Sequence, residues 1–248
     1  MNFILNEKNF VEDIIDGIAD SDIVCTTSLN YMVTMFAKYY LLFGGDDEEY
    51  MSIIASSKNV SFYKVYGLFE KKVKMFNSKE CSLREKDRIE ITDNELEQIA
   101  KIDNRKCRKL MFTFLVLSKF YDNQWINLKF SEIFKLANLP ITVNERAQLL
   151  KKLINEKYIS MNNYSSDLSI KVEIEQVKGK EKAYITEIND LGKKYLTFSE
   201  NKMMCKRCGR IIVKTIHNRL YCKNCKLEID RLACRNNYKK RKMEEKSQ

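Results

Sequence analysis

Histidine occurs once in this 248-residue chain, proline once, and glycine only seven times. One histidine, no phosphate-binding glycine loop and no spaced set of carboxylates argue against most hydrolases and transferases. With a single proline and 44% hydrophobic residues, the chain is expected to fold over most of its length. Long apolar runs are also missing. The greasiest stretch, Leu29 to Phe43, contains Thr34 and Lys38 and is too short to span a bilayer, so it reads as a buried helix. Asn6 to Asp22 is studded with acidic residues and has no long apolar core, so no secretory leader is expected there. No membrane partner is expected either.

The eight cysteines are abundant but unevenly spread. Cys25, Cys81 and Cys107 are isolated, whereas Cys205, Cys208, Cys222 and Cys225 form two C-x-x-C pairs. That distribution suits a reducing cytoplasm better than an oxidised scaffold. Charge is uneven too. Residues 1–60 hold 10 acidic and 3 basic side chains, whereas residues 201–248 hold 15 basic and 4 acidic ones. The net charge of +10 therefore belongs to the C-terminal end. Such an end favours a polyanionic partner, and the acidic start disfavours a DNA surface there.

The expected fold is mainly α with small β elements, divided into 1–90, 91–200, 201–234 and a basic tail, 235–248. The first segment reads as an acidic helical domain. Phe10, Ile14, Ile15 and Ile18 make one stripe over Asn9–Ile18. Thr27 or Ser28 caps a helix through Met32, Met35, Phe36, Tyr39, Tyr40 and Phe43, which Gly44 and Gly45 end. Asp46, Asp47, Glu48 and Glu49 suit a helix N-terminus; a divalent-metal site is the alternative. A further amphipathic stretch covers Phe62–Phe76, and Lys79–Thr92 reads as a linker.

From Asp93 the predicted order is four short helices followed by a two-stranded hairpin. Asp93–Ile102 is the first, Asp103 caps the second and Ser131 the third, which Pro140 breaks. Thr142 or Asn144 starts the fourth, with Ala147, Leu150, Leu153 and Ile154 inward. Ile170, Val172 and Ile174 alternate with charges, and Ala183–Ile188 reads as the returning strand after Lys178-Gly179-Lys180. Three helices and a hairpin give a winged helix-turn-helix, its wing between Val177 and Lys182 and its recognition helix at Asn144–Glu156. On that helix Asn144, Arg146, Gln148, Lys151, Lys152 and Asn155 are the exposed candidates for DNA contact, opposed by Glu145 and Glu156. Residues 189–200 read as a short helix or a connector, anchored by Tyr195, Leu196 and Phe198.

Two C-x-x-C pairs can place four thiolates around one tetrahedral zinc ion. Gly209 lets the chain turn behind Cys208, Ile211–Val213 reads as a strand, and Arg219-Leu220-Tyr221 as its return. With four protein ligands no position is open to water, so the zinc is structural rather than catalytic. Its binding supplies about 10–16 kcal/mol of apparent folding free energy. His217 is expected in an exposed loop, and Cys234 as a buried thiol on a helix from Glu228 onward, or as a replacement ligand. Around the metal lie Lys206, Arg207, Arg210, Lys214, Arg219, Lys223 and Lys226, continued by Arg231, Arg235, Lys239, Lys240 and Arg241. Together with Arg146, Lys151 and Lys152 they are the candidate contacts to nucleic acid, mostly to phosphate.

The Cys-x-x-Cys-Gly pair, Tyr-Cys-Lys-x-Cys and basic helix resemble the zinc-ribbon or treble-clef tails of proteins of Gram-positive phages and integrative elements. Ser131 to Asn138, Asn144-Glu145-Arg146 and Leu191-Gly192 are similar to the same proteins. The resemblance covers about residues 93–240 and implies a winged helix, a mobile-element origin and Cys205, Cys208, Cys222 and Cys225 as ligands. It implies a bacterial cytoplasm, or a host cytoplasm for a phage-encoded chain. The reading is a zinc-containing protein that binds double-stranded DNA, with a regulatory or replication-associated role. The alternatives are an adaptor that captures a host protein or self-associates through the N-terminal helices, and a metal-dependent nuclease. No catalytic residue is assigned.

Overall fold

The computed structural model describes residues 3–77, 81–122, 125–162, 169–174, 179–199, 202–207, 211–213 and 220–231. They are mainly helical, with three two-stranded sheets among them. The chain forms two compact units: Met1–Glu90 with Tyr184–Ile188, and Ile91–Ala183 with Asn189–Gln248.

The first unit contains α1 (Glu7–Ile15), α2 (Ser21–Thr26), α3 (Leu29–Phe43), α4 (Asp47–Lys58) and α5 (Phe62–Asn77). Asn6, Asp20, Ser28 and Asp46 cap the first four, each side chain accepting backbone N–H groups that the helix leaves unpaired. Helix α3 packs against α1, α4 and α5. Met32, Val33, Met35, Phe36 and Ala37 are wholly buried there, beside Val11, Met51, Ile54 and Val65. Two expected core positions are not in it. Gly17, at φ 71°, turns the chain after α1, and Ile18 is 71% exposed; Phe43, in the last turn of α3, is 51% exposed.

The expected linker is structured. Within it Leu83 and Ile89 are buried, and β1 (Ile89–Thr92) pairs with β4 (Glu181–Ile185). The backbone N–H of Arg84 donates to Glu7 Oε2 at 2.9 Å, and its guanidinium lies 3.3 Å from Oε1. Glu7 also accepts from the Tyr31 hydroxyl at 2.9 Å. Burial, then the Glu7 charge, push the Tyr31 phenol up. A buried carboxylate needs such partners, and they tie this segment to α1.

The second unit is built on α7 (Arg105–Phe120), capped by Asn104 rather than Asp103. Leu110 to Ser118 are buried without a break, as expected of a helix surrounded by others. Against α7 pack α6 (Asp93–Ala100), α8 (Phe130–Leu136), α9 (Val143–Asn155), β3 (Ser169–Val172) and α10 (Leu191–Ser199). Thr92 and Glu95 form a capping box on α6, and Glu95, almost fully buried, is paired with Lys119 at 2.7 Å. Helix α8 is capped at Lys129, two residues before the expected cap Ser131, and Lys129 makes no side-chain cap bond.

The hairpin differs from the expected one. Strand β3 pairs antiparallel with β2 (Ile159–Asn162), Ile159 opposite Val172 and Asn162 opposite Ser169, so the connection is 163–168. Ile126 bridges to Ile170 on the same sheet. Of the expected turn at 177–182, residues 177–178 lie outside the described residues; Asp93 N–H donates to Lys180 O at 3.1 Å, and a Cβ on Gly179 would meet Asp93 Oδ1 at 2.6 Å. Residues 179–180 therefore lie along the start of α6. The physical reason is Lys157, whose left-handed φ of 59° ends the chain's run through α9 and turns it directly into β2.

Candidate metal centre and nucleic-acid interface

Strand β5 (Lys202–Met204) pairs with β6 (Ile211–Val213), Lys202 opposite Val213 and Met204 opposite Ile211. Of the expected return strand Arg219 to Tyr221, Arg219 lies outside the described residues and Leu220 and Tyr221 are not in a strand; the described partner of β6 is β5. Cys205 follows β5 directly. Cys222 and Cys225 lie at the start of a helix, residues 223–231, which begins earlier than the expected Glu228. Lys206 N–H donates to Leu220 O at 3.0 Å and holds the two cysteine turns together.

The sulfurs of Cys205, Cys222 and Cys225 all lie within 4.8 Å of one another, and the three residues are buried against Ile212 and Tyr221. Cys222 N–H donates to Cys205 Sγ at 3.3 Å, and Cys225 N–H to Cys222 Sγ at 3.5 Å. Such N–H groups orient thiolates and stabilise their charge, as does the positive end of the following helix. In a tetrahedron with metal–sulfur bonds of about 2.3 Å, sulfurs stand about 3.8 Å apart. The grouping fits that requirement and could hold a metal ion. Cys208, the fourth proposed ligand, lies outside the described residues, as do Gly209, His217 and Cys234.

Of the basic candidates, Lys206, Lys223, Lys226 and Arg231 are exposed. Arg207 is exposed but pairs with Glu228 at 3.0 Å. Arg210, Lys214, Arg219, Arg235, Lys239, Lys240 and Arg241 lie outside the described residues. The isolated Cys107 is wholly buried in α7, and burial pushes its thiol up, as expected of an inert side chain.

Helix α9 distributes its candidates differently from the sequence reading. Asn144, Gln148, Lys151 and Asn155 are exposed. Arg146 is not: its guanidinium lies over the Phe134 ring at 5.3 Å, with Nε buried and unpaired. It belongs to the stripe i, i+3, i+4, i+7 with Leu149, Leu150 and Leu153, which are buried. Ala147 and Ile154, expected inside, are exposed. Lys152 is 3.6 Å from Glu156.

The sequence reading also missed the role of Glu145. It forms a capping box with Thr142, and the T-x-x-E spacing signals this in the sequence. Lys106 donates to the same carboxylate at 3.0 Å. The backbone bond from Thr142 first, and then Lys106, hold this carboxyl below the usual carboxylate range. Its contribution to α9 is complete above that range and is lost as pH falls through the depressed folded-state value. A carbon-detected NMR titration should place the Glu145 midpoint below that of a glutamate in an unstructured peptide; equal midpoints would mean the cap is not formed.

In the first unit Asp46 Oδ1 accepts from Glu48 and Glu49 N–H groups, so the acidic quartet serves as a helix start. No helix among the described residues is long and apolar enough to cross a membrane. Comparison with known proteins finds no matching family model, curated protein or solved structure.

Proposed function

We propose that this chain is a zinc-containing protein that binds double-stranded DNA and serves regulation or replication in a phage or mobile element. The observation that carries this reading is the convergence of Cys205, Cys222 and Cys225 beside exposed Lys206, Lys223 and Lys226. Zinc is the metal suited to an all-thiolate tetrahedron, and Cys208 is the residue that would complete it. When bound, zinc would fix the two cysteine turns, and the lysines would meet backbone phosphates.

A winged helix in the second unit supports the reading. Helix α7, the Ile126 bridge, α8, α9 and the β2–β3 hairpin follow one another in that fold's order. The metal module, with a cysteine turn after β5 and a second pair at a helix start, is arranged as in a treble clef.

Replacing Lys206, Lys223 and Lys226 together by alanine tests the phosphate role. Mobility shifts on a random duplex should weaken, and the slope of log K against log salt should fall by roughly 2–3. An unchanged slope would place the electrostatic contacts elsewhere. A second reading, a protein-binding adaptor, is favoured by large apolar side chains exposed on the first unit: Ile18, Phe43 and, at 85%, Tyr63.

A further inference from the structure

At 3.6 residues per turn, α9 sorts its side chains onto two faces. The inner one carries Arg146, Leu149, Leu150 and Leu153. On the outer one Lys151 lies midway, exposed. Along one flank stand the carboxamides of Asn144, Gln148 and Asn155; along the other stand Val143, Ala147 and Ile154. All six are exposed, Val143 at 75%.

Neither flanking carboxylate opposes an anion freely on this helix. Glu145 is engaged by Thr142 and Lys106, and Glu156 is near Lys152. The strongest guanine reader is also withdrawn, because Arg146 lies on Phe134. What is left in reach of a base edge is amide and methyl chemistry. A carboxamide matches the N6 donor and N7 acceptor of adenine, and an apolar side chain matches the thymine methyl. Guanine offers only acceptors at its major-groove edge, so a carboxamide meets it with its NH2 alone and leaves its oxygen unmatched.

We infer that α9 reads an A·T-rich duplex in the DNA major groove, its amide flank on adenine edges and its apolar flank on thymine methyls. This deepens the DNA-binding reading and rests on it. Lys151, between the flanks, supplies positive charge, mainly to phosphate. Double-stranded RNA is the poorer occupant, since its major groove is too narrow for a helix and uracil lacks the methyl.

The test is selection by the full-length protein from duplexes with a randomised core, followed by affinity measurements. Enrichment of A·T-rich cores is expected. Replacing both Gln148 and Asn155 by alanine should cut the preference for the selected duplex over a G·C-rich one by about tenfold. Affinity for the G·C-rich duplex should stay constant. Because both side chains are exposed, circular dichroism should remain unchanged. Exchanging thymine for deoxyuridine should weaken binding by about twofold to fivefold, through loss of the methyls.

Duplex binding with no base preference, with G·C enrichment, or with a preference the double variant keeps would overturn this inference alone. No duplex binding at all would overturn the reading beneath it as well. Sedimentation offers a third outcome. If Val143→Asp with Ile154→Asp turned a dimer into a monomer, the face would be a protein interface and the inference would fall.

Discussion

Stripping the metal, or replacing Cys222 by serine, should unfold the C-terminal module and leave the helices α6–α10 in place. The described residues within 202–231 form a small hairpin and a short helix, and the buried side chains among them are those of Cys205, Cys222 and Cys225. Such a module cannot bury enough apolar surface to fold alone. With the proposed zinc bound, the roughly 10–16 kcal/mol of apparent free energy of a structural site would be most of what holds it. Elemental analysis of gently purified protein should find about one zinc per chain. Hydrogen exchange should show protection lost within 202–231 after chelation, with α7 unaffected. Affinity for duplex DNA at physiological salt should fall by at least about tenfold, since the lysines beside the cysteines are then no longer held in place. Protein free of zinc, with binding and exchange unchanged in Cys222→Ser, would remove the basis of the proposed function.

Where the sequence was legible, a local signal dominated. Ser28 and Gly44 bound α3, Asp46 opens α4, and the C-x-x-C spacing brings Cys205 close to the second pair. Where it misled, the deciding contact was remote. The strand Ala183–Ile188 follows Ile170–Ile174 closely enough to invite pairing, yet β4 joins β1, about ninety residues earlier. Strand β2 has only Ile159 and Met161 to announce it, a pattern too short to distinguish from a helix end. Arg146 was misplaced for a different reason. Reading charge as exposure ignores the alkyl stem and flat guanidinium, which can lie on an aromatic ring while the stripe of leucines continues. The i, i+3, i+4, i+7 spacing with Leu149, Leu150 and Leu153 held that information, and it outranks charge.

Gly192→Ala should destabilise the second unit strongly, against the propensity of the helix that contains it. In an open helix the substitution would gain about 1 kcal/mol. A Cβ built on Gly192, however, falls 1.8 Å from the Ala137 carbonyl oxygen and 2.5 Å from its carbon. Those are backbone atoms at the end of α8 and cannot swing aside as a side chain would. The turn is held there a second way: Asn138, at φ 53°, donates from its amide to Asp190 Oδ1 at 3.1 Å, just before α10. Relief therefore requires α10 to lift off the α8–α9 turn, disturbing Leu191, Tyr195 and Leu196, all buried. Overpacking of this kind costs about 1–3 kcal/mol or more, and a rigid backbone neighbour puts this site at the upper end. A fall in Tm of about 6–12 °C is expected, for a net loss of about 3 kcal/mol. The matched control is Gly67→Ala within α5, where a Cβ meets nothing within 4 Å. There the helix gain is unopposed, and stability should rise by about 0.5–1 kcal/mol. Urea denaturation of the two variants should move in opposite directions. Equal stabilisation by both would show that α10 does not seat on Ala137.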